Sequence, residues 1–132
     1  GYNHGIFAPD EVIRLFPRLE VKWEHKVHER PVCKLPKQKL SGILMHYTYD
    51  SWQQWLDKAG QYTSIWAEDN FSKGKRVGKS AAFTHGIYGF IRAYFLQLGF
   101  LDGWAGLYSS LQHFFYTLLK YWKLYELQQK NK

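Results

Sequence analysis

Residues able to do chemistry are sparse in this chain, and most lie in its first third. Glu29 stands between His28 and Arg30, at the end of a strand-like segment. A carboxylate there can serve as a general base if an acceptor hydroxyl comes within hydrogen-bond reach. It can equally be a structural carboxylate paired with Arg14 or Arg30. His25 and His28 are three apart, but no HExxH occurs among the six histidines. A lone cysteine, Cys33, excludes both an intramolecular disulfide and a cysteine-pair zinc site. Polar histidines at strand ends explain the His25–His28 pair as simply as a metal does. Gly74-Lys-Arg-Val-Gly78-Lys-Ser80 imitates a phosphate loop, but Lys73 occupies the place of the first glycine and a helical pattern precedes it. A nucleoside-triphosphate site is therefore excluded. The loop is left as a basic surface for anionic headgroups or water.

The elements that must position these groups change character near residue 50. Over 1–49 the pattern predicts strands and loops. Glu11–Phe16 is a β-prone run closed by Pro17, Val21–His25 alternates apolar and polar residues, and Ser41–Tyr47 is a third candidate. Pro31 and Pro36 bracket a loop. Three strands without a covering helix make an incomplete layer. From 50 onward the chain reads as helical. Asp50 or Ser51 can cap a helix over about 52–70, with Trp52, Trp55, Leu56, Ala59, Tyr62 and Trp66 on the face expected to meet the core. A second helix is expected over about 82–98 with Gly99 as its cap, then a turn at Phe100–Gly103 and a third helix over about 104–128.

Composition narrows the function classes. The 132 residues carry 18 basic against 11 acidic side chains, net +7, and 19% are aromatic. Residues 73–99 hold Lys73, Lys75, Arg76, Lys79 and Arg92 with no acid. The basic residues do not line one helix face, so nucleic acid is not expected as a partner. Residues 93–119 contain a single charge, Asp102, but Gly99 and Asp102-Gly103 break the run. Two interfacial or core helices fit this pattern better than one membrane span. The rings of the second and third helices, flanked by basic residues, suit either an anionic membrane surface or a further domain. For the membrane the contact set is Lys73, Lys75, Arg76, Lys79, Trp104, Tyr121, Trp122 and Lys123. The chain begins with Gly and lacks the basic start of a signal peptide, so it is expected to be a piece of something longer.

Several segments, in order along nearly the whole chain, resemble family 2 glycosyltransferases. Ala8–Pro17 is similar to that family's Pro-Asp-x-x-x-Arg-Leu-Phe segment, and Trp23 with Val27-His28-Glu29-Arg30 resembles its "W…VHE". His46-Tyr47-Thr48-Tyr49 followed by Gln61-Tyr62-Thr63-Ser64 is similar to "HYSY…RYS". Phe100–Gly106 and Leu119–Glu126 resemble the tail "FLDG..G…KY.KL.E". The nearest subgroup is the β-1,4-glucosyltransferase-like enzymes of lipopolysaccharide and lipooligosaccharide core synthesis. The resemblance implies an α/β fold: the C-terminal portion of a GT-A, Rossmann-like domain, here a few strands followed by about three helices. Residues 1–49 would be its acceptor-side end and 50–132 a helical membrane-associating tail. It also implies inverting transfer of a hexose, glucose from UDP-glucose, to a lipid-linked oligosaccharide at the cytoplasmic face of the bacterial inner membrane. Glu29 would be the catalytic base, with Asp10, Arg14, His28 and Arg30 contacting substrate. The family's Asp-x-Asp metal motif is absent from the chain, so a divalent cation, Mg or Mn, is expected only in the complete enzyme, and the chain alone is expected to be inactive. The rival readings are a stand-alone membrane-surface adaptor and a basic nucleic-acid module.

Overall fold

A computed structural model describes residues 4, 5, 13, 15–17, 21–24, 30–32, 34–40 and 50–131. Strands β1 (Lys22–Glu24) and β2 (Arg30–Val32) pair antiparallel, with Lys22 opposite Val32, Trp23 opposite Pro31 and Glu24 opposite Arg30. Pro31 thus belongs to a strand and not to the expected loop. Among the described residues the ladder has only these two strands, so both are edges, where a residue without an N–H is tolerated. The described part of 11–16 (Ile13, Leu15 and Phe16) is not in a strand. The candidate strand at 41–47 lies outside the described residues.

Three helices dominate: α1 (Trp52–Ser72), α2 (Ala81–Ile91) and α3 (Gly103–Lys130). At the start of α1 the Ser51 hydroxyl accepts from the Gln54 N–H at 3.2 Å, while the Gln54 side chain accepts from the Asp50 N–H at 3.0 Å. Two donors at the helix start are thereby satisfied reciprocally. Helix α2 ends earlier than expected. Arg92–Leu96 widens into a π-helical turn, and a 3₁₀ turn follows at Gly99–Asp102. The left-handed residue between them is Leu98 (φ 58°), not Gly99.

Gly99 is needed for something else. A Cβ on it would lie 2.7 Å from the Ala93 carbonyl oxygen, so the glycine permits a close backbone approach instead of capping a helix. The chain start is tied to the same turn. His4 N–H donates to Asp102 Oδ2 (2.8 Å), His4 Nδ1 lies 3.0 Å from Asp102 Oδ1, and Gly5 N–H donates to the Gln97 carbonyl (2.9 Å).

Helix α3 is the middle of the layer and packs on both α1 and α2, whose backbones do not pack on one another. The packed faces are made of small and polar residues: Ala59, Thr63 and Ala67 on α1, Ala82, Gly86 and Gly89 on α2, and Gly106, Ser109, Ser110 and Thr117 on α3. This corrects the expectation for α1, because Trp52 and Leu56 are about half exposed (51% and 50%). Small side chains let helix backbones approach closely, and the large rings are displaced to the flanks. Three of the buried hydroxyls satisfy themselves locally, while Thr117 Oγ1 is buried with no hydrogen-bond partner. Ser109 and Ser110 both donate to the Gly106 carbonyl, at 3.0 and 2.7 Å, and Thr63 donates to the Ala59 carbonyl at 2.6 Å.

Candidate functional site

Of the residues expected to do chemistry, Asp10, Arg14, His28 and Glu29 lie outside the described residues. Arg30 is the first residue of β2, in register with Glu24. Among the described residues no group of three His, Cys, Asp or Glu is placed to hold a metal ion.

The eight residues expected at a membrane are all described, and they divide. Lys73 is exposed and paired with Asp69 at 2.6 Å, one turn back. The Arg76 guanidinium lies 4.2 Å over the Phe71 ring and donates to the Phe71 and Lys75 carbonyls. Lys79 is exposed beside a shallow pocket of about 470 Å³ between the 73–80 loop and the end of α3. That loop is held by Gln128, whose amide accepts from the Val77 N–H (2.6 Å) and donates to the Val77 carbonyl (2.9 Å). Among the described residues Trp104 is the most exposed large apolar side chain, at 86%, and Trp122 is exposed at 45%.

Lys123 is employed inside the molecule. Its Nζ donates to the Gly60 carbonyl (2.6 Å), Thr63 Oγ1 (2.9 Å) and Ser64 Oγ (2.8 Å), so all three of its N–H bonds are directed at α1. Lys123→Met is expected to destabilise the protein by about 1–3 kcal/mol, since the Gly60 carbonyl and two hydroxyls lose a charged donor in a half-buried site. A denaturant titration reads this, and an unchanged midpoint would mean the ammonium is already hydrated in solution.

Tyr121 is likewise not a surface ring. It is half-buried, stacked on His85 at 4.1 Å and tilted against Trp66 at 5.0 Å. Lys75, Lys120 and His85 gather around it, a basic group that segment-by-segment charge counting missed, and His113 feels the charges of Lys120 and Arg92. Burial, and then the Lys75 charge, hold the Lys120 ammonium below its ordinary range. Burial, then Lys120 and Arg92, lower His113. Burial, then Tyr62, raises the Tyr116 hydroxyl. A signal was present in the sequence: His85 and Arg92 are seven apart on one helix pattern, and so are His113 and Lys120.

A second surface is apolar. Trp104, Tyr108, Leu111, Phe115 and Trp122 recur at spacings of four, three, four and seven along α3, and all are exposed. On a helix those positions form one stripe, directly opposite buried Gly106, Ser110, Thr117 and Leu124. On α2, Ile87 and Ile91 point away from the buried Ala82, Gly86 and Gly89 in the same manner, and Phe95 in the following π-helical turn is exposed too.

Comparison with known proteins points to one class, the glycosyltransferases. The chain is 33% identical over 93 residues to a protein named an uncharacterized glycosyltransferase of Rickettsia typhi, covering 70% of this chain and 32% of that protein. Similarly named proteins of Rickettsia prowazekii (33% over 92 residues) and Rickettsia felis (32% over 93 residues) match over 70% of this chain, and over 32% and 33% of their own lengths. The chain thus spans about a third of the length of the curated relatives it matches. No protein-family profile matches the chain, and no solved structure matches it.

Proposed function

We propose that this chain is the acceptor-side and C-terminal part of an inverting glycosyltransferase acting on a lipid-linked oligosaccharide. The observation that carries the reading is its similarity, over 70% of its length, to proteins named glycosyltransferases. The resemblance of Asp10–Phe16, Val27–Arg30 and Phe100–Gly106 to family 2 motifs adds the mechanism. In it, Glu29 takes the proton of the acceptor hydroxyl as that oxygen attacks C1 of the donor sugar. The C1–O bond to the nucleoside diphosphate breaks on the opposite side, and the diphosphate leaves with the bonding electrons. Arg14 and Arg30 offer planar, permanently charged forks to the diphosphate or to anionic groups on the acceptor. His28 and Asp10 position the reactants. The donor is UDP-glucose and the acceptor a lipopolysaccharide core sugar. The direct test supplies radiolabelled UDP-glucose and detergent-dispersed core lipid to the full-length protein. Label in the lipid fraction is expected. Release of free glucose alone, or no turnover with any nucleotide sugar, would refute the reading.

The exposed apolar stripes support a peripheral seat at the cytoplasmic face of the inner membrane. Among the described residues no helix is long and apolar enough to cross a membrane. Helices with small residues inward and Trp, Phe, Ile and Leu outward match the packing used against lipid, where apolar bulk does not drive association. Replacing exposed Trp104 and Leu111 by Ser is expected to lower sedimentation of the full-length protein with phosphatidylglycerol vesicles about tenfold or more, from the lost apolar burial alone. Its melting temperature should hold. Unchanged sedimentation together with a lower melting temperature would place the stripe against another part of the protein instead.

A further inference from the structure

The basic group around Tyr121 has no role in the transfer reading. Lys75 Nζ lies 4.9 Å from the centre of the Trp66 ring and 5.3 Å from that of Tyr121. Lys120 Nζ lies 5.0 Å from Trp66, 5.6 Å from Tyr121 and 5.9 Å from Tyr116. Since both flank the Trp66 centre at 4.9 and 5.0 Å, the two ammonium nitrogens are less than about 10 Å apart, within the span of a diphosphate bonded at both ends. His85 stacks on the far ring of this wall.

The nearby acids are committed elsewhere: Asp69 to Lys73 at 2.6 Å and Glu126 to Lys130 at 2.7 Å. Among the described residues neither Lys75 nor Lys120 has a carboxylate partner. Ring faces attract a cation, but they do not neutralise it. Two like charges beside one aromatic wall, one of them half-buried, are an uncompensated arrangement. An anion relieves it, and the rings strengthen the charge-assisted hydrogen bonds by keeping water from one side.

We propose that Lys75 and Lys120, walled by Trp66 and Tyr121, form a binding site for a phosphate-bearing ligand of diphosphate size. The site does not rest on the transfer reading. The ligand chemistry is the phosphate oxyanion, and its source is either a soluble diphosphate or the phosphate headgroups of a membrane.

The test is acylation of the full-length protein with a water-soluble N-hydroxysuccinimide ester, read lysine by lysine by peptide mass spectrometry. A per-residue readout keeps the result independent of any diphosphate bound at a donor site elsewhere. With saturating inorganic pyrophosphate, labelling of Lys75 and Lys120 should slow about tenfold with one shared half-saturation concentration, while Lys73 and Lys79 change less than about twofold. In Lys75→Gln, an exposed position whose replacement leaves the fold intact, protection of Lys120 should fall about tenfold. Protection by phosphatidylglycerol vesicles without pyrophosphate would identify the headgroup as the source, and protection by pyrophosphate alone a soluble ligand. Equal slowing at Lys73 and Lys79, separate half-saturation at the two lysines, or no protection by either probe would overturn the proposal.

Discussion

Gly106→Ala should unfold the helical layer. A Cβ at this position would lie 1.7 Å from the Gly99 carbonyl oxygen and 2.7 Å from its carbon. Both are backbone atoms, so no side chain can rotate to make room. The 3₁₀ turn would have to leave α3, and it is already fixed on its other side, where Gly99 sits against the Ala93 carbonyl. Ordinary overpacking costs about 1–3 kcal/mol, and a forced backbone displacement belongs to the rarer class above about 4 kcal/mol. Against a total stability of about 5–15 kcal/mol this is most of the margin. The expected result is loss of soluble protein, or a melting temperature lowered by more than about 10 °C. Gly60→Ala is the matched control. Gly60 is in the interior of α1 with nothing within 4 Å of an added Cβ, so Ala there should stabilise by about 0.5–1 kcal/mol. If Gly106→Ala melted within about 2 °C of the parent, the close approach of α3 to the turn would be wrong.

The same contact explains where sequence reasoning stopped. The helices themselves were legible: Ser51 caps α1, the apolar run breaks at 99–103, and α3 runs on to Lys130. What faces what was not. Hydrophobic periodicity finds the large residues and assigns them inward, so it puts Trp52, Leu56 and Tyr62 on the core face, yet all three are exposed. In this layer the inward faces, Leu124 and two glutamines of α3 apart, are Ala, Gly, Ser and Thr, which carry almost no periodic signal but permit close backbone approach. Gly99 was legible as a glycine at a helix end, yet close packing, not a left-handed cap, requires it. Lys123 read as surface charge because nothing local shows that three acceptors on α1, some 60 residues earlier, will converge on it. The acidic and basic residues of 10–30 formed a candidate site only through their resemblance to known motifs. Spacing alone could not choose between a base and a salt bridge for Glu29.

That choice is made by Glu29→Gln in the full-length protein. The amide keeps the shape of the carboxylate but cannot take a proton. If Glu29 is the base, kcat should fall by about 10²- to 10⁴-fold, the range of a lost general base. The donor KM should change little, because the side chain is assigned to the acceptor oxygen and not to the nucleotide. The pH profile supplies an independent sign. A base must be ionised to work, so the parent rate should fall as pH drops through the carboxylate range, near 4–5 for an unperturbed Glu, and the residual rate of the variant should lose that limb. Glu29→Asp moves the carboxylate back by one methylene and should recover part of the rate with the acidic limb restored. A structural carboxylate holding Arg14 or Arg30 behaves otherwise. Its loss would lower stability and raise KM for an anionic substrate while leaving the acidic limb in place, since the proton acceptor would still be present. A near-parental kcat in Glu29→Gln would remove Glu29 from the chemistry and leave the Arg pairing as its role.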